Sequence, residues 1–214
     1  MELFYHPLSR YSQKVLLALY EKQANFYARI VHLDDPLSRQ QFLTLSPLGK
    51  LPLLQTAEGT HIHEASIIIE YLDQQLNQGT QLISLQPQQA LEIRRFDRLV
   101  DHDFNDILYQ IECAKQATLD EIKLLSLNKR LALLLDQLDS QLSQQHWLCG
   151  DRFSLADCGL IPCLVEAKHH VKLYQYQEIN RYLHQAMARG AFTQVFDEVS
   201  VAKDKASAGY RPIR

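Results

Sequence analysis

FYHPLSRYSQKVLLAL, residues 4–19, runs from a strand-like start through a polar turn into an apolar stretch with helical spacing. Val15, Leu16, Leu19 and Tyr20 recur at the three- and four-residue intervals of a buried helix face. The turn between carries three hydroxyls, Tyr5, Ser9 and Ser12. A strand, a tight turn and the first turn of a helix put backbone amides and hydroxyls at one point, the arrangement that stabilises an anion.

Working outward, the first third alternates element types. MELFYH and NFYARIVHL read as strands, and PLSRQQFLTLSP as a short helix closed by Ser46-Pro47. LPLLQT and THIHEA flank a turn-forming AEGT and read as a hairpin. EASIIIEYLDQQL returns to helical spacing through Ile67, Ile68, Tyr71 and Leu72. The order β-α-β-α-β-β-α predicts a small mixed sheet carrying helices. Residues 77–87 are polar and Gln-rich, contain Pro87, and read as a linker. Beyond them, residues 90–116 and 119–144 form two long amphipathic stretches with leucines every three or four positions, which predicts a helical bundle. The expected fold class is therefore α/β plus all-α, with domains at 1–76 and 88–214. The tail AKDKASAGYRPIR is small, polar and basic, and is expected to be loosely ordered.

The composition bounds the function. At 214 residues, 46 % hydrophobic, 22 % charged and net charge -3, the chain has a globular composition without the basic excess of a general nucleic-acid or anionic-membrane binder. Four cysteines without a CxxC pair suit a reduced, cytoplasmic setting. No basic-then-apolar leader and no apolar run of about 20 residues is present in the sequence. Ser154 followed by Asp157 ahead of an apolar run reads as a capping box, with Phe153 placed as its hydrophobic staple. Asp97 and Asp101, one helical turn apart near Arg94, Arg95 and Arg98, read as an ion-pair network that can border a cleft between domains. His61 and His63 share a strand face without an evident third ligand, so no metal is expected. His169 and His170 read as surface residues.

Four segments, in order, resemble the glutathione S-transferase superfamily across nearly the whole chain: FYHPLSRYSQKVLLAL, SPLGKLPLL, HEASIIIEYLD and LCGDRFSLADCGLIP. The resemblance implies a thioredoxin-like domain followed by an α-helical domain, glutathione as co-substrate, and a cytoplasmic homodimer acting in detoxification. It also implies a cis bond at Leu51-Pro52, with the Leu51 backbone pairing to the cysteinyl part of glutathione as an added strand does. Lys50 is placed to meet the glycyl carboxylate, and the α-carboxylate of the γ-glutamyl end falls to the helix start at Glu64, Ala65 and Ser66. The family commonly has Glu-Ser where this chain has Glu64-Ala65. The missing hydroxyl forgoes about 0.5–1.5 kcal/mol of one hydrogen bond unless Ser66 compensates.

A transferase of this kind lowers the pKa of a thiol from about 8.5. Ser9 takes the place of the nucleophilic cysteine of thioredoxin relatives and of the catalytic serine of serine-type transferases. Ser12 takes the second-cysteine place, and Tyr5 that of tyrosine-type transferases. The candidates rank Ser9, Ser12, Tyr5. Each has a structural alternative: Ser9 as turn filler, Ser12 as helix cap, Tyr5 as a buried strand residue. Arg10 stands where proline is common and reads either as solvated or as positive charge near a thiolate. The expected function is activation of the glutathione thiolate for attack on a small electrophile held between the domains. The alternative is a non-catalytic protein of the same fold, like the RNA polymerase-associated stringent starvation protein A; Ala65 and Arg10 keep it open.

Overall fold

The computed structural model describes residues 1–116 and 121–206. Four strands, β1 (Glu2–Tyr5), β2 (Tyr27–Ile30), β3 (Leu53–Gln55) and β4 (His61–Ile62), form one sheet in the order β2-β1-β3-β4. β1 and β2 are parallel, in register Glu2 with Tyr27 through Tyr5 with Ile30, and α1 (Arg10–Glu21) makes the crossover between them. β3 runs antiparallel to both β1 and β4. The βαβ unit followed by a hairpin is the order that the periodicity predicts.

α1 is buried around most of its circumference, Ser12, Gln13 and Lys14 included, because it is covered on several sides. Val15, Leu16, Leu17, Ala18 and Leu19 are all buried, and the helix packs on α3 (Ala65–Gln75), α7 (Leu155–Ala167) and α9 (Gly190–Ala206). α2 (Pro36–Leu45) buries only Phe42, in a small separate core with Val31, Leu51 and Leu53. That core lies directly beneath the Leu51-Pro52 loop. The segment between α3 and α4 (Pro87–Leu99) is fastened to the rest of the fold. Thr80 donates its amide to the Glu21 carbonyl, the Leu82 and Ile83 amides donate to Asp73, and Leu82 is fully buried. Gly79, at φ +69°, passes so close to α1 that a Cβ there would stand 2.2 Å from the Glu21 carbonyl oxygen.

The first long amphipathic stretch is α4 running into α5 (Asn105–Gln116) through a π-helical turn at Val100–Phe104, which the periodicity does not reveal. Such turns free backbone groups and gather at functional sites. Here the Tyr11 hydroxyl donates to the Asp101 carbonyl at 3.2 Å. α6 (Glu121–Leu142) packs on α5 and on α8 (Gln177–Met187). Of the tail, residues 202–206 complete α9 instead of lying loose, and residues 207–214 lie outside the described residues.

The capping box at α7 is present. Asp157, fully buried, accepts from the amides of Ser154 and Leu148 and from the Tyr182 hydroxyl, at 2.8–2.9 Å. The carboxylate that opens α7 thereby also fixes α8 and the preceding loop, and that role is structural. Phe153 packs edge-on against Trp147 at 5.0 Å, with the Arg189 guanidinium 4.5 Å from its ring.

The turn, the cis-proline loop and the start of the third helix

Ser9 is the N-cap of α1, with extended backbone at φ -82°, ψ 121°; its Oγ accepts from the Ser12 amide at 3.4 Å. The cap is thus Ser9 and not Ser12. Accepting leaves the Ser9 hydroxyl proton free of that bond. Ser12 is buried, and its Oγ accepts from the His6 amide at 3.3 Å. The turn is knotted further by the Ser9 amide on the His6 carbonyl (3.0 Å), the Leu8 amide on His6 Nδ1 (3.2 Å) and Gln13 Nε2 on the Pro7 carbonyl (2.8 Å). Ser9 is fully covered in this conformation. Tyr5 is buried and donates its hydroxyl to Glu198 of α9 at 2.9 Å. Burial and that carboxylate push its pKa well above the ordinary tyrosine value. Tyr5 ties the last described helix to the sheet.

The Leu51-Pro52 peptide is cis. Leu51 precedes β3, beyond the last β1–β3 pair, Phe4 with Leu53. Lys50 is exposed and follows Gly49, whose φ of +61° makes the turn. Glu64, at the N-cap of α3, also has positive φ (+67°, ψ 119°), and its side chain makes no capping bond. A non-glycine residue held there stores strain, which concentrates at ligand clamps and active sites. The helix's own bonding begins with the Ile68 amide on the Glu64 carbonyl, so the helix leaves its first amides without a side-chain cap.

Ser66 is already engaged by other side chains. Its hydroxyl donates to Asp97 Oδ2 at 2.6 Å and accepts from Lys14 Nζ at 3.0 Å. Lys14 Nζ also lies 2.5 Å from Asp97 Oδ1 and 2.7 Å from Asp101 Oδ2, with Lys14 and Asp97 side chains 1 % and 2 % exposed. The predicted network of Asp97 and Asp101 with neighbouring arginines is therefore corrected. Arg94 and Arg95 turn outward to Glu70 and Glu92, and the aspartates turn inward to a lysine of the other domain. Burial drives the Asp97 carboxyl upward, while Asp101 and Asp97 lift Lys14 above its ordinary value despite burial.

Arg10 is not a solvated arginine. It donates to Asn105 and to both oxygens of Glu112 on α5, with 11 % of its side chain exposed. His170 is likewise not a surface residue: its side chain is 5 % exposed and lies 3.5 Å from Glu166. Glu112, Glu166 and His170 bring ligand atoms within 4.8 Å of one another. Arg10 on Glu112 and Lys203 at 4.0 Å from Glu166 make this an ion network. Burial alone would raise Glu166, but His170, Lys203 and Arg10 hold it down at about 2. The four cysteines are free thiols; Cys113 is half-buried, the others are buried, and burial lifts Cys163 to about 12. A surface bowl of about 500 Å³ lies around Tyr20, Glu21, Thr80 and Arg189, at the far end of α1 from Ser9. Among the described residues no helix is long and apolar enough to cross a membrane.

Residues 3–80 match the family model of the glutathione S-transferase N-terminal domain, and residues 105–189 that of the C-terminal domain. The chain is 30 % identical over 201 residues to maleylacetoacetate isomerase of Pseudomonas aeruginosa, covering 91 % of this chain and 94 % of that one. It is 26 % identical over 178 residues to glutathione S-transferase F7 of Arabidopsis thaliana, covering 77 % and 82 %. Two solved structures share the fold. One is a glutathione S-transferase of Methylobacillus flagellatus with glutathione bound (TM-score 0.82, 24 % identity, 91 % of this chain and 98 % of that one). The other is glutathione S-transferase 1-6 of Anopheles dirus (TM-score 0.84, 16 % identity, 97 % and 98 %). With both domain models matched in order on a four-stranded sheet followed by helices, the chain belongs to the glutathione S-transferase family.

Proposed function

We propose that this chain is a glutathione transferase that binds glutathione on its first domain and raises the thiolate at the Ser9 turn for attack on a small electrophile. The observation that carries this reading is the start of α3. A strained Glu64 leaves the helix's first amides without a side-chain cap, the arrangement a carboxylate seeks. The γ-glutamyl carboxylate takes those amides at Ala65. The cysteinyl backbone pairs with Leu51 beside the cis Pro52, and Lys50 meets the glycyl carboxylate. Ser9 donates to the sulfur, aided by the amides of the first turn of α1. Ser12 and Tyr5 rank behind it, because Tyr5 is engaged by Glu198 and Ser12 lies behind the turn on the His6 amide. No step needs a metal. The non-catalytic alternative is not favoured by the named relatives, which are a transferase and an isomerase. Conjugation and isomerisation both begin from the same thiolate.

Calorimetric titration with glutathione near neutral pH tests the seat. Saturable binding is expected, and its absence at millimolar glutathione would sink the reading. Because Ser66 is committed to Asp97 and Lys14, Ala65→Ser supplies a hydroxyl that nothing else provides. It is expected to tighten binding by about 2- to 12-fold, the equivalent of one hydrogen bond of about 0.5–1.5 kcal/mol. Unchanged affinity would place the carboxylate elsewhere.

The proposed assembly is a homodimer. Ile67 on α3 and Leu91 on α4 are 54 % and 61 % exposed, with the Glu70–Arg94 pair between the same two helices. Light scattering is expected to give twice the chain mass, and a single-chain mass across the micromolar range would remove the dimer.

A further inference from the structure

We propose that His6 is the positioning residue of the Ser9 turn, and that the turn keeps its ligand-binding geometry only while the His6 imidazole is neutral. The inference rests on the reading that glutathione lies against this turn. Three polar groups of His6 hold it: the amide on Ser12 Oγ, the carbonyl under the Ser9 amide, and Nδ1 under the Leu8 amide. The Leu8 contact is the ring counterpart of an Asx-turn, in which a side-chain acceptor takes the amide two residues on. Because an N–H points at Nδ1, the ring's own proton sits on Nε2. A second proton has only Nδ1 to occupy. There it would face the Leu8 N–H, donor against donor, and the turn would lose that tie.

The surroundings favour the neutral ring. His6 is 8 % exposed and meets the His32 ring edge-on at 5.5 Å. Burial and His32 lower its pKa, while Asp34 opposes them weakly. These two titratable groups come from the segment after β2. α1 and its N-cap face His6 with Ser12 and Ser9, which do not titrate in this range. The sign follows. A base held below the ordinary histidine value of about 6.5 stabilises the neutral turn above that pH. The stabilisation declines as pH falls from there through the lowered value.

Two readouts test this. The first needs no ligand: a pH titration by nuclear magnetic resonance of the whole chain. The Leu8 and Ser9 amide nitrogens are expected to move with the His6 ring on one curve. In His6→Asn, whose side-chain oxygen can take the Leu8 amide without titrating, the same amides should stay flat. A Leu8 amide that ignores the His6 titration overturns the proposal, as does a ring that does not titrate before the chain unfolds in acid. The second readout uses S-methylglutathione, which has no thiol, so the thiolate does not contribute to its pH dependence. Its affinity should fall about tenfold between about pH 7.5 and 4.5 in the wild type, one pKa unit between bound and free protein. The fall should vanish in His6→Asn. An equal fall in both proteins, no fall in the wild type, or tighter binding in acid overturns the role. If S-methylglutathione binds at no pH, the glutathione reading fails and the resonance titration still decides the turn. If His6→Asn does not fold, the wild-type curves decide it.

Discussion

Lys14→Met is expected to lower the unfolding free energy by about 3–5 kcal/mol, the usual cost of removing one partner from a buried ion pair. Methionine keeps most of the apolar stem, so lost packing is a small part of this. The remainder comes from Asp97 and Asp101, left facing each other without the ammonium that lies 2.5 and 2.7 Å from them. Ser66 loses its donor at the same time. The stem runs past Gly159 of α7, where a Cβ would stand 3.6 Å from Lys14 Cδ and Cε, so the helix leaves little room for water to enter. Urea unfolding of wild type and variant measures the loss as a lower midpoint at constant slope. The pH dependence provides a second check. Without Lys14, the Asp97 carboxyl rises further above its unfolded value, and an acid with a raised folded pKa costs stability when ionised. The deficit should therefore shrink as pH falls through that raised value. A loss under about 1 kcal/mol would mean that the cluster relaxes into solvent as an exposed pair does.

Ser9→Ala is expected to raise the pKa of bound glutathione by about 1–2 units, since a hydrogen bond to a charged group contributes about 1.5–3 kcal/mol. At neutral pH kcat/KM with 1-chloro-2,4-dinitrobenzene should fall by about 10- to 100-fold, with the loss recovered at alkaline pH. The readout is the acid limb of the kcat/KM profile for the electrophile at saturating glutathione, where the free form is the glutathione complex and the limb reports its bound thiol. Ser9 also caps α1, so the alanine variant loses about 1 kcal/mol of stability as well. Ser9→Gly separates the two effects, because glycine at an N-cap costs only a few tenths of a kcal/mol while the hydroxyl is still gone. If Ser9→Gly turns over like wild type, the hydroxyl does not touch the thiolate.

Much of the fold was legible because its signals are local. The strand, turn and helix of residues 4–19 come from apolar spacing interrupted by Pro7 and serines. The hairpin comes from a turn-forming AEGT between two apolar runs, and the start of α7 from Ser154 and Asp157 three residues apart. Leu51-Pro52 was readable as cis by resemblance, and the structure has it so. The positive φ of Glu64 was not readable, since a glutamate carries no preference for that region and only the surrounding packing holds it there. Nor was the π-helical turn, because Phe96, Val100, Phe104 and Leu108, all buried, recur at the four-residue interval of an ordinary helix.

The sequence by itself determined the elements, their order, and the proline and serine positions of the proposed seat, through backbone preferences acting over a few residues. Tertiary structure alone decided which side chains are left to act. Lys14 meets Asp101 across 87 positions and draws Ser66 away from the start of α3. Tyr5 meets Glu198 across 193 positions and is taken up as a tie to α9. Arg10 is drawn off the turn to Glu112. Each of these is a charge or hydroxyl that burial forces to find a partner, and the partner depends on which helix faces are brought together, a property of packing that no local pattern encodes.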